Sequence, residues 1–200
     1  MKLALLPLIA LCISCATTQP IDAKPALPEV KQQTAVAASS INDRLNIAKQ
    51  YMSKGKFRTD LVVLIDYSIN SAKPRLFVVD LKTNKIDSYH VAHGSGSDEN
   101  NDGYADKFSN VANSKMTSLG FYKTAETYTG KHGLSLRLDG LESSNSNARA
   151  RFVVMHSASY VYESNKQPGR SWGCPALALD VAPKLINLLK NGVLIYAYAK

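Results

Sequence analysis

The pattern of apolar and polar positions changes from helical spacing to short strands along the chain. Apolar residues recur at helical spacing over about 40–53, which predicts a helix ending near Gly55. A second amphipathic helix is predicted over 181–189. Between and after these helices, short runs rich in β-branched residues predict strands over 61–65, 76–81, 86–91, 118–122, 134–138, 152–155 and 193–198.

These predicted elements indicate a single domain. Asn84 predicts a hairpin turn, and residues 94–120, rich in Gly, Ser, Asn and Asp, predict a long functional loop. We expect one mostly β (α+β) domain over 39–200, a twisted sandwich or open barrel with a helix near each end. Its length of about 160 residues is enough for one core.

The N-terminus predicts export. Lys2 and the apolar run over 3–13 are typical of a signal peptide and are too short for a spanning helix. The end of this run resembles a bacterial lipobox, so we expect a lipoprotein-type signal peptide over 1–15 and lipidation of Cys15. Ala16 is similar to the residue found in lipoproteins sorted to an outer membrane. Cleavage by ordinary signal peptidase would instead give a soluble exported protein.

Composition and charge favour a wall or membrane environment. Residues 16–38, with Thr, Pro, Gln and Ala, predict a flexible tether. The formal net charge is +8, from 24 Lys and Arg against 16 Asp and Glu. The basic residues are scattered and form no nucleic-acid motif, so we expect no nucleic-acid partner. An exported basic protein would sooner meet an anionic wall polymer or membrane surface.

Cys174 becomes the one free thiol of the processed chain. The sequence has 3 cysteines, and export would remove Cys12 and consume the thiol of Cys15. An unpaired thiol in an oxidising compartment needs a reason to be there. It lies between Gly173 and Pro175 in a turn-forming segment, where it could react. A buried structural thiol and an intermolecular disulfide are the alternatives.

His156 is the candidate base for this thiol. It follows the apolar run 152–155, so it should lie at the end of a buried strand, 18 residues before Cys174. An imidazole within hydrogen-bond reach can take the thiol proton and later protonate a leaving amine. Backbone N–H groups of Trp172, Gly173 and Cys174 could hold the oxyanion. The alternative for His156 is a structural histidine at the edge of the core.

These residues resemble the L,D-transpeptidase (YkuD-like) catalytic domain family over about residues 60–198. The family's strand-ending His-Gly is similar to His156-Ser157, and its Ser-His-Gly-Cys motif is similar to Ser-Trp-Gly-Cys-Pro-Ala at 171–176. Residues 91–94 and 118–121 also resemble family segments beside the site. The whole set, with 129–133 and 135–141, resembles a divergent murein L,D-transpeptidase branch that carries Ser-Trp-Gly-Cys-Pro.

The resemblance implies a fold, a substrate and a mechanism. We expect an L,D-transpeptidase-like fold acting on peptidoglycan stem peptides in the periplasm, lipid-anchored to the outer membrane if Cys15 is acylated. Cys174 would attack a tetrapeptide stem, release D-Ala and transfer the acyl group from a thioester to an amine. No cofactor or metal is expected; in a strand His90 and His93 would face opposite sides.

Several positions depart from the family pattern. Trp172 stands for the second histidine, Ser157 for a glycine whose carbonyl would orient His156, and Ala176 for an arginine. Another cation must then meet the donor carboxylate, because Arg binds carboxylates bidentately. The candidate substrate-binding residues are Arg170, Arg137, His132, Gly120 and Ser171.

Three other functions stay open at this level. Water as acceptor would make the protein an L,D-carboxypeptidase. A papain-like wall endopeptidase would usually place the cysteine before the histidine, which is the reverse of the order here. A non-catalytic cell-wall-binding lipoprotein is the alternative from another class, favoured by Trp172 and the missing arginine.

Overall fold

The computed structural model describes Met1 and residues 29–199, with side chains from residue 41 onward. The signal segment after Met1, Cys15 and the first part of the expected tether lie outside the described residues. Within the described part of the chain, no helix is both long and apolar enough to cross a membrane.

Strands dominate the described domain, with one helix before them and one before the last strand. Helix α1 spans Glu29–Met52 and α2 spans Ala182–Leu189. A short 3-10 turn lies at Ser95–Ser97 in an otherwise irregular segment between the third and fourth strands. The strands are β1 Leu61–Asp66, β2 Leu76–Asp80, β3 Ile86–Tyr89, β4 Gly120–Gly130, β5 Gly133–Gly140, β6 Val154–Ser157, β7 Ala176–Leu177 and β8 Leu194–Tyr198.

One sheet contains all eight strands, in the order β3-β2-β1-β8-β4-β5-β6-β7. Its two ends approach each other, because Ala92, just after β3, pairs with Ala176 of β7, and Gly94 pairs with Ser171. The sheet is therefore nearly closed and barrel-like. The expectation of a mostly β open barrel with two helices is confirmed.

The centre of the sheet is buried on both faces. In β1, every residue from Leu61 to Ile65 is buried. Val63 and Ile65 pack in one cluster with Leu185 and Ile186 of α2, whereas the alternate residues of β1 pack with Leu45 and Ala48 of α1. A strand covered on both faces has no polar alternation, which explains its continuous apolar run.

Several element bounds differ from the sequence predictions. Helix α1 begins at Glu29, so 29–38 of the expected tether are helical; Ala and Gln, which composition assigned to a tether, are good helix formers. β6 begins at Val154, because Phe152 has a φ of 55° and belongs to the preceding turn. The two-residue β7 was not predicted, since its pairing depends on distant segments.

A buried polar chain fixes the segment that closes the sheet. Arg75 is fully buried and donates to the Val91 carbonyl and, at 2.8 Å, to Nδ1 of His93. Nε2 of His93 lies 3.1 Å from Oδ2 of the buried Asp98, to which it donates. Burial, then the charge of Arg75, lowers the pKa of His93 to about 4. His93 is therefore neutral and locked in one tautomer.

This arrangement predicts that His93 makes folding stability depend on pH. The unfolded chain takes up the histidine proton near pH 6.5 and the folded chain only near pH 4. Its contribution is thus fully present above pH 6.5 and is lost as pH falls toward 4. Urea unfolding at several pH values should show H93Q less stable than wild type at pH 7, with a flatter decline between pH 6.5 and 4. An unchanged slope would contradict this assignment.

Candidate active site

Cys174 lies in the loop between the Ser171 bridge and β7, against the beginning of β6. Its Sγ is 3.4 Å from the Val154 N–H, which donates to it, and 3.6 Å from the Phe152 carbonyl oxygen. The side chain is partly buried, and Cys174 is a free cysteine. Burial raises the pKa of this thiol, while the Val154 N–H and the charge of Arg151 oppose that effect.

Ser171 organises the loop over 171–175, which carries Cys174. Its hydroxyl donates to the Cys174 carbonyl at 2.7 Å and accepts from the Gly173 N–H at 3.1 Å, and its own N–H donates to the His93 carbonyl at 2.8 Å. The Gly173 N–H is therefore occupied within the loop, contrary to the expectation that it could hold an oxyanion. Among the described residues, the N–H groups of Trp172 and Cys174 have no hydrogen-bond acceptor.

Gly173 is required by both its backbone angle and its surroundings. Its φ is +117°, and a Cβ there would lie 2.6 Å from the carbonyl oxygen of Met116. Gly94 also packs closely against this residue, since a Cβ on Gly94 would lie 2.9 Å from the Gly173 nitrogen. The loop that holds the thiol thus packs backbone against backbone on two other segments.

The sheet register brings His156 to the same place. His156 of β6 pairs with Ala176 of β7, two residues after Cys174. Nδ1 of His156 is 2.9 Å from the Ser157 carbonyl, so Nδ1 carries the hydrogen and Nε2 is left as the base. Burial, despite the opposing hydrogen bond to Ser157, lowers the pKa of His156. Within the described residues no hydrogen bond joins this ring to Cys174 Sγ.

His132 covers the ring of His156. It lies in the turn between β4 and β5, and the two imidazole rings stack with their centroids 4.3 Å apart. The Ser157 hydroxyl donates to the His132 carbonyl at 3.0 Å. Ser157 therefore contacts both histidines, one through its carbonyl and one through its hydroxyl.

The two candidate arginines have different surroundings. Arg137 on β5 pairs with Val154 of β6. Two positions earlier on β5, Ser135 pairs with His156, so the side chains of Arg137 and His156 lie on the same face of the sheet. Its guanidinium lies 3.1 Å from Glu126 and over the Tyr128 ring. Arg170 instead donates to the Asp98 carbonyl. Arg137 borders the site, while Arg170 supports the closing segment.

Trp172 and Gly120 make their contacts with residues other than Cys174 and His156. The Trp172 side chain is 77% exposed, with the Lys115 ammonium 5.1 Å from its ring centre. Gly120, with a φ of +113°, packs against the side chains of Glu142 and Ser144. The structure gives Gly120 a packing role against that turn.

Sequence reasoning missed two residues beside the thiol, Arg151 and Phe152. Phe152 turns its carbonyl toward Sγ because of its left-handed backbone, and its side chain is 72% exposed. Arg151 fixes the carbonyls of Ser109 and Met116. The available signal was a charged residue and an aromatic one at the start of an apolar run, a combination that does not by itself indicate a site.

Comparison with known proteins identifies one family. A sequence profile of the L,D-transpeptidase catalytic domain matches residues 32–198. No curated protein matches the chain.

Solved structures that match part of this chain are distant in sequence. An L,D-transpeptidase from Mycobacterium smegmatis is 14% identical, with a TM-score of 0.44 over 70% of this chain and 59% of that one. Bdellovibrio bacteriovorus Bd1075 is 16% identical, with a TM-score of 0.43 over 72% and 48%. An L,D-transpeptidase from Xylanimonas cellulosilytica is 14% identical, with a TM-score of 0.40 over 72% and 63%. The chain spans less than two thirds of each.

The packing around Gly173 predicts a large effect of a single methyl group. G173A should lower the free energy of unfolding by roughly 2–4 kcal/mol, because it adds backbone strain and a clash. Gly133 is the matched control, since its φ is +72° but a Cβ would meet nothing within 4 Å. G133A should cost only about 1 kcal/mol. Urea unfolding compares the two, and equal costs would argue against the clash.

The raised thiol pKa predicts how Cys174 reacts with iodoacetamide. The alkylation rate of the folded protein should rise with pH to a midpoint above that of the same thiol in the urea-unfolded chain, because the thiolate is the reactive form. Mass spectrometry of the Cys174 peptide follows this thiol separately from the other cysteines. A midpoint below the unfolded value would show that the surroundings favour the thiolate overall.

Proposed function

The chain belongs to the L,D-transpeptidase catalytic domain family, and on that premise we propose that it is a peptidoglycan L,D-transpeptidase with Cys174 as nucleophile. The observation that carries this proposal is the pairing of β6 with β7. This pairing sets a partly buried thiol beside the strand of an imidazole whose Nε2 is the basic nitrogen. The substrate class comes from the family, and the roles of the residues come from their contacts.

The first half of the reaction forms a thioester. Nε2 of His156 takes the Cys174 proton as the sulfur attacks the carbonyl at the L-centre of the diamino acid in a tetrapeptide stem. The tetrahedral oxyanion accepts hydrogen bonds from the backbone N–H groups of Cys174 and Trp172, which have no other acceptor among the described residues. The imidazolium then protonates the leaving amine, and D-Ala departs.

The second half transfers the acyl group. The amine of a second stem attacks the thioester carbonyl and gives its proton to His156. The C–S bond then breaks, the amide forms, and the thiol of Cys174 recovers the proton. The stacked His132 ring shields one face of His156 and would limit competing attack by water.

Donor recognition is assigned to Arg137. It lies on β5, two positions after Ser135, which pairs with His156 of β6. Its side chain is on the same face as His156 and is about one third exposed. Its guanidinium could exchange the exposed Glu126 carboxylate for that of the terminal D-Ala, because surface ion pairs contribute little free energy.

The proposed location rests on the sequence alone. A lipoprotein-type signal peptide would place the domain in the periplasm, anchored through Cys15 to the outer membrane. Globomycin treatment of producing cells should then accumulate the unprocessed precursor.

Incubation of the purified protein with disaccharide-tetrapeptide tests the reaction. Wild type should give a cross-linked dimer and free D-Ala, both detected by mass spectrometry. C174A should give neither product, and H156Q should be slower by roughly 100-fold or more because it lacks the base. Melting curves check that both variants fold.

The same assay separates the alternatives. Tripeptide without dimer would identify an L,D-carboxypeptidase that uses water as acceptor. Binding to sacculi with no conversion, and no carbapenem adduct on Cys174, would favour a wall-binding protein. Conversion by C174A at the wild-type rate would exclude Cys174 as the nucleophile.

A further inference from the structure

Arg151 binds residues 109–118, the segment that packs against Gly173 in the loop that carries Cys174. Its guanidinium donates to the Ser109 carbonyl at 2.7 Å and to the Met116 carbonyl at 2.6 Å. It also lies 3.3 Å from the Ser114 hydroxyl and 3.4 Å from the Ser118 hydroxyl. One partly buried side chain therefore joins four points of the long loop between β3 and β4.

The same guanidinium is close to the thiol loop. A Cβ on Gly173 would lie 3.3 Å from Nη2 of Arg151 and 2.6 Å from the Met116 carbonyl that Arg151 binds. Arg151 also directly precedes Phe152, whose carbonyl faces the sulfur of Cys174. The guanidinium of Arg151 therefore lies close to Gly173, the residue before Cys174. Arg151 is also the chain neighbour of Phe152, whose carbonyl contacts the sulfur.

The charge of Arg151 has no acidic partner in the part of the chain that the structure describes. Arg149, two residues earlier, differs in this respect, because its guanidinium bonds to Glu126 and to Asp139. Peptide carbonyls and hydroxyls satisfy the hydrogen bonds of Arg151 without cancelling its charge. A partly buried positive charge of this kind acts on nearby ionisable groups with little screening.

The other titratable groups near the thiol carry no charge at neutral pH. Burial raises the pKa values of the tyrosines and lowers that of His156, so the tyrosines stay protonated and the imidazole neutral. They are Tyr67 directly after β1, Tyr122 on β4, His156 on β6 and Tyr160 in the loop after β6. Of the described groups that act on this thiol, Arg151 is the cation.

We propose that Arg151 is a positioning residue of the acyl transfer, whose charge stabilises the Cys174 thiolate and whose hydrogen bonds hold residues 109–118 beneath Gly173. The inference rests on the proposed function of Cys174 as nucleophile. It assigns the electrostatic support of the thiol to Arg151, which lies in the turn before β6.

Three variants separate charge from structure. In the full chain, R151Q removes the charge, R151K keeps it with fewer hydrogen bonds, and R149Q removes an arginine that is paired with acids. The pH dependence of iodoacetamide alkylation is followed on the Cys174 peptide by mass spectrometry. Melting curves measure the structural cost of each change.

Alkylation at pH 8 should be about three- to tenfold slower in R151Q, because the lost cation moves the thiol midpoint to higher pH. R151K should keep a midpoint near that of wild type even if it melts earlier, and R149Q should keep the wild-type profile. An R151Q midpoint equal to wild type, or an equal shift in R151K and R151Q, would overturn the proposal. If R151Q does not fold, a raised midpoint in folded R151K would also overturn it.

These outcomes are independent of the transpeptidase assay. Alkylation reports on the thiol whether or not the protein cross-links stem peptides. An unchanged R151Q profile beside an inactive C174A would remove the role of Arg151 and leave the proposed function intact. A shifted R151Q profile beside a fully active C174A would remove the proposed function and the role of Arg151 in acyl transfer, and would leave only the effect of its charge on the thiol.

Discussion

The active-site geometry depends on the contact that joins the two ends of the sheet. Ala92 donates to the Ala176 carbonyl at 2.9 Å, and Ser171 and His93 meet through a hydrogen bond of 2.8 Å. Cys174 lies between these two contacts, so closing the barrel and placing the sulfur are a single structural event. The buried chain of Arg75, His93 and Asp98 makes the contact rigid, because any movement would leave a buried charge without its partner.

A second constraint is the close approach of three backbone segments below the thiol. Gly94 and Gly173 allow their chains to pack without side chains between them, and the Met116 carbonyl occupies the remaining space. Arg151 binds that carbonyl and so ties the third segment to the turn before β6. The long polar loop between β3 and β4 therefore supports the backbone on which Cys174 lies, although this loop has almost no regular secondary structure.

The sequence predicts those parts of the molecule that are encoded locally. The run 61–65 predicts a buried strand because covering both faces removes polar alternation, and the segment 171–176 carries its own motif. Helix α1 starts earlier than predicted because Ala, Gln and Lys suit a tether as well as a helix. The missed features, β7, the occupied Gly173 N–H and Arg151, all depend on contacts between segments far apart in the chain. No local pattern encodes such contacts.

The electrostatics around the thiol keep Cys174 and His156 uncharged in the folded chain at neutral pH. Burial raises the pKa of Cys174 and lowers that of His156, so both side chains are uncharged at neutral pH in the folded chain. A neutral thiol is a poorer target for oxidants than a thiolate, which protects a free cysteine such as Cys174. In the proposed mechanism, proton transfer to His156 creates the thiolate, and the Val154 N–H and Arg151 are placed to stabilise it. A permanent thiolate–imidazolium pair would make the sulfur of Cys174 more reactive, but it would also expose that sulfur to oxidation.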